Sequence, residues 1–201
     1  MDEENVWRAV DRQRVSVADL LAQLSEDEWR RPSLCTGWTV RDVAGHLAWQ
    51  QLTSLPALLV DAVRARGNMD RTIHDASCRW AARPTGQLVD EIRSLVGRRR
   101  HPPRLTHLEV LIDILVHGMD IAVPLGRPLE IPAEAAAAAA DRIWYEDRYF
   151  GARTRLAGYR LAATDTSWSA GHGSPVEGPI DALLLLMTGR NQAAAARLTG
   201  V

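Results

Sequence analysis

The stretch that most constrains the fold is residues 105–126, LTHLEVLIDILVHGMDIAVPLG. Its apolar residues lie on nearly all sides of the helix that it predicts, which is typical of a helix at the centre of a core. Two polar side chains, Asp113 and His117, stand four residues apart within it. That spacing places both on one face of the helix, one turn apart.

This pair is the first candidate for a metal site. A carboxylate oxygen and an imidazole nitrogen can share one ion at about 2.0–2.2 Å. Two ligands are too few, so a third must come from another helix, and His46 is the best candidate because it lies in an otherwise apolar helical stretch. The spacing alone leaves another interpretation open, in which Asp113 is an exposed acid and His117 a core histidine bonded to a carbonyl. Asp120 either orients His117 or faces solvent.

The rest of the chain predicts a mainly α protein. Periodic apolar residues predict helices over 4–24 and from Thr39 to about Arg66, the second bent before Pro56. Thr39 and Asp42 resemble a capping box at the start of that helix. After Gly151 the sequence alternates apolar and polar residues, which predicts two short strands or a hairpin. We therefore expect a helical bundle over 1–150 and a small α+β segment over 151–201.

Composition excludes several classes of function. The 201 residues are 46% hydrophobic with a formal net charge of -1, which argues against a general nucleic-acid surface. The apolar runs are too short to span a membrane, and the acidic N-terminus is unlike a signal peptide. The two cysteines form no CxxC pair or disulfide framework, so we expect a cytoplasmic protein with reduced thiols. Every basic residue is Arg, which excludes lysine-based catalysis.

Three segments resemble one known family. Residues 35–47, CTGWTVRDVAGHL, resemble the signature of the mycothiol-dependent maleylpyruvate isomerase family. Residues 113–121, DILVHGMDI, followed by the PLG of 124–126, resemble its second signature. Residues 178–200 resemble its C-terminal segment. The family belongs to the DinB-like superfamily of metal-binding four-helix bundles, and the resemblance implies that fold here.

The resemblance also implies a site and a chemistry. It implies a divalent ion of the zinc type held by His46, Asp113 and His117, where characterised isomerases have Glu at the acid position. It further implies mycothiol or a similar thiol as cofactor, a small electrophilic substrate, and isomerase or S-transferase activity. Arg190, in a Gly-Arg pair in the tail, is the candidate catalytic residue that clamps a substrate carboxylate; its proximity to a helix C-terminus is the alternative explanation.

Two other functions remain open at this point. One is a non-catalytic, metal-binding stress-response protein that has kept the bundle, and the other is a metal-dependent hydrolase. The expected partners are small molecules, without nucleic acid or membrane. A homodimer is left open because bundles of this kind often pair through a helix face.

Overall fold

The computed structural model describes residues 1–101 and 105–200. The helices are α1 (Glu3–Ala22), α2 (Glu26–Arg30), α3 (Val40–Leu52), α4 (Leu55–Arg64), α5 (Met69–Ala81), α6 (Thr85–Arg93), α7 (His107–Leu125), α8 (Ala133–Tyr145), α9 (Asp147–Phe150), α10 (Ala152–Arg155), α11 (Ile180–Met187) and α12 (Asn191–Ala195). The strands are β1 (Tyr159–Ala163), β2 (Ser169–Gly171) and β3 (Ser174–Gly178). The predicted mainly α fold with a small C-terminal α+β segment is confirmed. Across the described ranges, none of these helices combines the length and the apolar character needed to cross a membrane.

Backbone contacts divide the chain into two compact units, each assembled from separate stretches of sequence. The first comprises 1–10, 105–116 and the described part of 130–201. The second comprises the described part of 11–104 together with 117–129. The division falls inside α7, whose helical backbone nevertheless runs without a break from His107 to Leu125. The boundary near residue 150 stays a prediction.

The second unit is organised around the close packing of α3 against α5. Gly45 of α3 makes the approach possible, because a Cβ built at this position would lie 2.7 Å from the Ser77 carbonyl oxygen and 2.9 Å from the Ala81 Cβ. Arg41 adds a polar clamp, since its Nε donates to the Ala81 carbonyl at 2.6 Å and its Nη2 to the Arg83 carbonyl at 2.7 Å. The backbone of α3 is thereby fixed against α5, and with it the side chains that α3 carries.

The helix predicted from Thr39 to about Arg66 is in fact two helices, α3 and α4. The chain leaves the helical conformation at Thr53, where ψ is 141°, and starts again after Ser54, whose Oγ accepts from the Ala57 amide. Pro56 lies in the first turn of α4, where its missing N–H costs no hydrogen bond. The Ser-x-Pro sequence therefore ends one helix and begins another instead of bending a continuous one.

The first unit carries the small sheet. Strand β1 lies in the middle of the order β2-β1-β3, antiparallel to β2 and parallel to β3. The predicted pair of short strands is confirmed by β1 and β2, and after a bend at His172 and Gly173 the chain forms a third strand, β3, which contains Pro175. Helix α11 packs against the alanine face of α8, whose small side chains leave room for close approach.

Helix α2 supplies a pH-dependent contribution to stability. Glu28 completes a capping box with Ser25 and also binds Arg127, with 2.8 Å between Arg127 Nη2 and Glu28 Oε1. Hydrogen bonds from the Ser25 backbone and the Arg127 guanidinium lower the pKa of Glu28 to about 2. Because folding favours the ionised carboxylate, this contribution is complete above the ordinary glutamate pKa and is lost as pH falls towards 2.

We therefore expect the stability difference between wild type and Glu28→Gln to shrink as pH falls from about 4.5 to about 2. Urea denaturation midpoints of the two proteins over this pH range measure it. A constant difference across the range would show that the Glu28 carboxylate is not bound in the folded protein as described.

Candidate metal centre

The first element of the site is the N-terminal part of α3, which carries His46. The predicted capping box is present: the Thr39 amide donates to Asp42 Oδ2 at 2.9 Å and the Asp42 amide donates to Thr39 Oγ1 at 3.3 Å. His46 follows within two turns and is only 4% exposed. Its Nδ1 lies 3.3 Å from Ser77 Oγ on α5, so one ring nitrogen is engaged in the core. The Nε2 atom would then be the metal ligand.

The second element is helix α7. Asp113 and His117 both lie within its continuous backbone, one turn apart as predicted, and both are partly buried. The rings of His117 and His46 are edge to face, with 4.8 Å between their centroids and 75° between their planes. Two histidines from different helices therefore converge, although they are far apart in sequence.

The ligand atoms of His46, Asp113 and His117 all lie within 4.8 Å of one another. Two atoms bound to the same ion at about 2.0–2.2 Å can be no more than about 4.4 Å apart, so only a small side-chain movement separates this arrangement from a coordinating one. Two imidazoles and a carboxylate are a donor set that suits zinc and several other divalent ions. The residues present thus fit the ion that the resemblance implies, and an ion held by these three would keep a coordination position open.

Asp120 contacts the Nδ1 side of the His117 ring and so fixes its orientation. Its side chain is fully buried, and its Oδ2 lies 2.8 Å from His117 Nδ1. An ionised Asp120 carboxylate would accept a hydrogen bond from Nδ1–H of His117, and Nε2 would then be the nitrogen that binds an ion. The sequence allows Asp120 either to face solvent or to orient His117, and the structure shows it buried against His117.

Cys35 is the neighbour of this site that the sequence does not reveal. Its Sγ donates to Asp120 Oδ2 at 3.0 Å and lies 3.7 Å from His117 Nδ1. Cys35 precedes those residues by more than 80 positions, so no local spacing connects them. The contact depends on the loop before α3 lying against α7, where the Leu34 amide donates to the Asp120 carbonyl at 3.1 Å.

Trp38 forms an aromatic wall beside His46. Its ring centroid lies 5.4 Å from that of His46 and 6.1 Å from that of His74. The sequence suggests a packing role for Trp38 and a surface position for His74. The structure places His74 at the surface, with its side chain 49% exposed, but also in contact with the wall of the candidate site.

Arg190 lies just before α12, where its Nη1 donates to the Thr188 carbonyl at 2.6 Å. Thr188 follows the last residue of α11, so the guanidinium lies at a helix C-terminus, where a cation is favoured. The role of Arg190 in binding a substrate carboxylate stays a prediction.

The fold is that of the mycothiol-dependent maleylpyruvate isomerase. Crystal structures of that enzyme and of a mutant of it each align over 94% of this chain and 90% of their own, with TM-scores of 0.64 and 0.63. Sequence identity is 16% and 14%, so these similarities establish the fold alone.

A separate comparison matches the N-terminal part of the chain to a family model. Residues 10–106 match the family model described as the mycothiol maleylpyruvate isomerase N-terminal domain, and this part of the chain is similar to that domain. The resemblance predicted from the sequence is thus confirmed. The matched region includes His46 and the loop that carries Cys35, whereas Asp113 and His117 follow it.

The chain is also similar to two uncharacterized proteins from two strains of Mycobacterium tuberculosis. Each is 30% identical over 53% of this chain and 51% of its own length. The chain therefore spans about half the length of the curated relatives that it matches.

Proposed function

We propose that this protein is a divalent-metal-dependent enzyme that uses mycothiol or a similar small thiol to isomerise or conjugate a small electrophile. The observation that carries the proposal is the convergence of His46, Asp113 and His117, whose ligand atoms lie within 4.8 Å of one another. The family of residues 10–106 and the shared fold support the thiol as cofactor. We place the protein in the cytoplasm, acting on small molecules, with a homodimer left open.

His46, Asp113 and His117 would hold the ion, and zinc is the expected one. When bound, such an ion lowers the pKa of a thiol in its open position, so that the nucleophilic thiolate is present near neutral pH. The chain's own residues prepare this position. Asp120 fixes the tautomer and orientation of His117, and the burial of His46 keeps water from one side of the centre.

The acid ligand is where this chain departs from the characterised isomerases. Asp113 is one methylene shorter than Glu, so its carboxylate reaches less far from the α7 backbone. The ion is then expected closer to α7 or bound with an additional water. The shorter acid is expected to change the activity and the substrate more than the presence of the ion. Conjugation of the substrate is therefore proposed as well as isomerisation.

The proposal predicts electrophile consumption that requires both metal and thiol. Purified protein reconstituted with zinc is mixed with mycothiol and maleylpyruvate, or with a panel of chromogenic electrophiles, and turnover is followed by absorbance. We expect chelator to remove the activity and zinc to restore it. Asp113→Asn, which keeps the shape and removes the charge, should lower the rate by at least about tenfold through weaker ion binding, whereas exposed His172→Ala should have no effect.

The outcomes separate the candidate functions. Metal-dependent turnover of esters or amides without thiol would favour the hydrolase. Zinc binding at these residues with no metal-dependent thiol chemistry across the panel would contradict the proposal and favour a non-catalytic metal-binding protein.

A further inference from the structure

A second group of ligand atoms lies on the other side of His117. Cys35 Sγ, His117 Nδ1 and Asp120 Oδ2 are separated by 3.7 Å (sulfur to nitrogen), 3.0 Å (sulfur to oxygen) and 2.8 Å (nitrogen to oxygen). All three residues belong to the second compact unit. The function proposed above uses the opposite nitrogen of His117 and does not require the Cys35 thiol.

The loop that carries Cys35 is held rigidly. The Trp38 amide donates to the Cys35 carbonyl at 3.0 Å, and Gly37, with φ of 80°, occupies the third position of this turn, as a type II turn requires. Ser33 Oγ accepts from the Cys35 amide at 3.1 Å and donates to the Trp38 carbonyl at 3.0 Å. The backbone that positions the sulfur is therefore preorganised before any ligand arrives.

The distances suit a metal ion. In a tetrahedral zinc-like site, with metal–nitrogen bonds of about 2.0–2.1 Å and metal–sulfur bonds of about 2.3 Å, the donor atoms lie about 3.3–3.6 Å apart. The distance of 3.7 Å between Cys35 Sγ and His117 Nδ1 exceeds this range by only about 0.1–0.4 Å. The two separations to Asp120 are those of hydrogen bonds, and a small rotation of Cys35 and Asp120 would open them.

We infer that Cys35, His117 and Asp120 form a second cation site, selective for thiophilic ions such as Cd²⁺. A thiolate is a soft ligand and favours such ions over Mg²⁺ or Ca²⁺, which prefer oxygen. On binding, the ion replaces the protons that now link Cys35 and His117 to Asp120, and these protons pass to solvent. The site does not depend on the enzymatic function proposed above, since it can bind an ion in a protein that catalyses nothing.

The shared imidazole links the second site to the first. An ion at Nδ1 of His117 takes the place of the hydrogen bond to Asp120 that orients Nε2 towards the first site. Filling the Cys35 site should therefore weaken the binding of zinc by His46, Asp113 and His117. The effect expected from such coupling is on the order of tenfold or more in affinity.

Cadmium titration of the reduced, metal-free protein, without added thiol, tests the inference through the ultraviolet thiolate-to-cadmium charge-transfer band. We expect the band in wild type, its loss in Cys35→Ser, and its retention in Cys78→Ser. Cys78 is the matched control because burial, followed by the nearby Asp42 carboxylate, raises the pKa of its thiol to about 11. His46→Ala removes the first site only and should keep the band, and Asp120→Asn should weaken cadmium binding at least about tenfold.

Absence of the band in wild type, or its persistence in Cys35→Ser, would overturn the inference. Its loss in a folded His46→Ala protein would also do so, because Cys35 would then be a ligand in the first site. If Cys35→Ser does not fold, cadmium NMR of the Cys78→Ser, His46→Ala double variant decides: a shift typical of one sulfur ligand supports the site, and a shift typical of none contradicts it.

Discussion

Replacing His117 with alanine is expected to remove divalent-metal binding from this protein while leaving it folded. His117 is the residue common to both groups of ligand atoms, His46–Asp113–His117 and Cys35–His117–Asp120. Loss of a residue that only supports a metal ligand already costs 10–100-fold in affinity, so loss of the ligand itself should weaken binding by at least about 100-fold. The fold should survive because His117 lies at the edge of the core, with its side chain 17% exposed.

The measurement is elemental analysis and zinc titration of wild type and His117→Ala after chelation and reconstitution. His172→Ala is the control, since His172 is exposed and belongs to neither group. Equal zinc content in wild type and His117→Ala, with the circular dichroism spectrum unchanged, would show that the ion is bound elsewhere.

Replacing Gly45 with alanine is expected to destabilise the protein by about 2–3 kcal/mol. The added Cβ would lie 2.7 Å from the Ser77 carbonyl oxygen and 2.8 Å from the Ala81 amide nitrogen, and both are backbone atoms of α5. Because backbone atoms cannot turn aside as a flexible side chain can, α3 and α5 must separate. His46 is the next residue, so zinc affinity should fall together with stability.

Gly86→Ala provides the matched control for this prediction. Gly86 lies in α6, where an added Cβ would have no neighbouring atom within 4 Å, and the protein should gain up to about 1 kcal/mol from the better helix propensity of alanine. Urea unfolding of the three proteins measures both effects. A Gly45→Ala protein as stable as wild type would contradict the close packing of α3 on α5.

The parts of this structure that follow from local chemistry can be predicted from the sequence. The capping box of Thr39 and Asp42 needs only those two residues at the right spacing. Helix α7 and its Asp113–His117 pair likewise follow from periodicity along one segment. The proposed third ligand is different, because spacing identifies His46 only as a polar residue in an apolar helix, and the family resemblance is what connects it to the pair.

The features that sequence analysis misses are those created by distant contacts. Strand β3 contains Pro175 and is flanked by glycine, which favours a turn, yet it pairs in parallel with β1 and its Glu177 bridges to Thr199. The position of Cys35 is another example, since Cys35 and Asp120 are in contact although they are 85 residues apart in the sequence. The break between α3 and α4 has a sequence signal at Ser54 and Pro56. The same two residues are, however, also compatible with one continuous helix that bends, so the sequence does not distinguish a bent helix from two helices.

The proposed metal centre can be located by an anomalous difference map from crystals of the protein loaded with one equivalent of zinc, recorded at the zinc edge. We expect one strong peak within coordination distance of His46, Asp113 and His117. A peak bound by Cys35 and Asp120 without His46, or no peak at these residues, would contradict it.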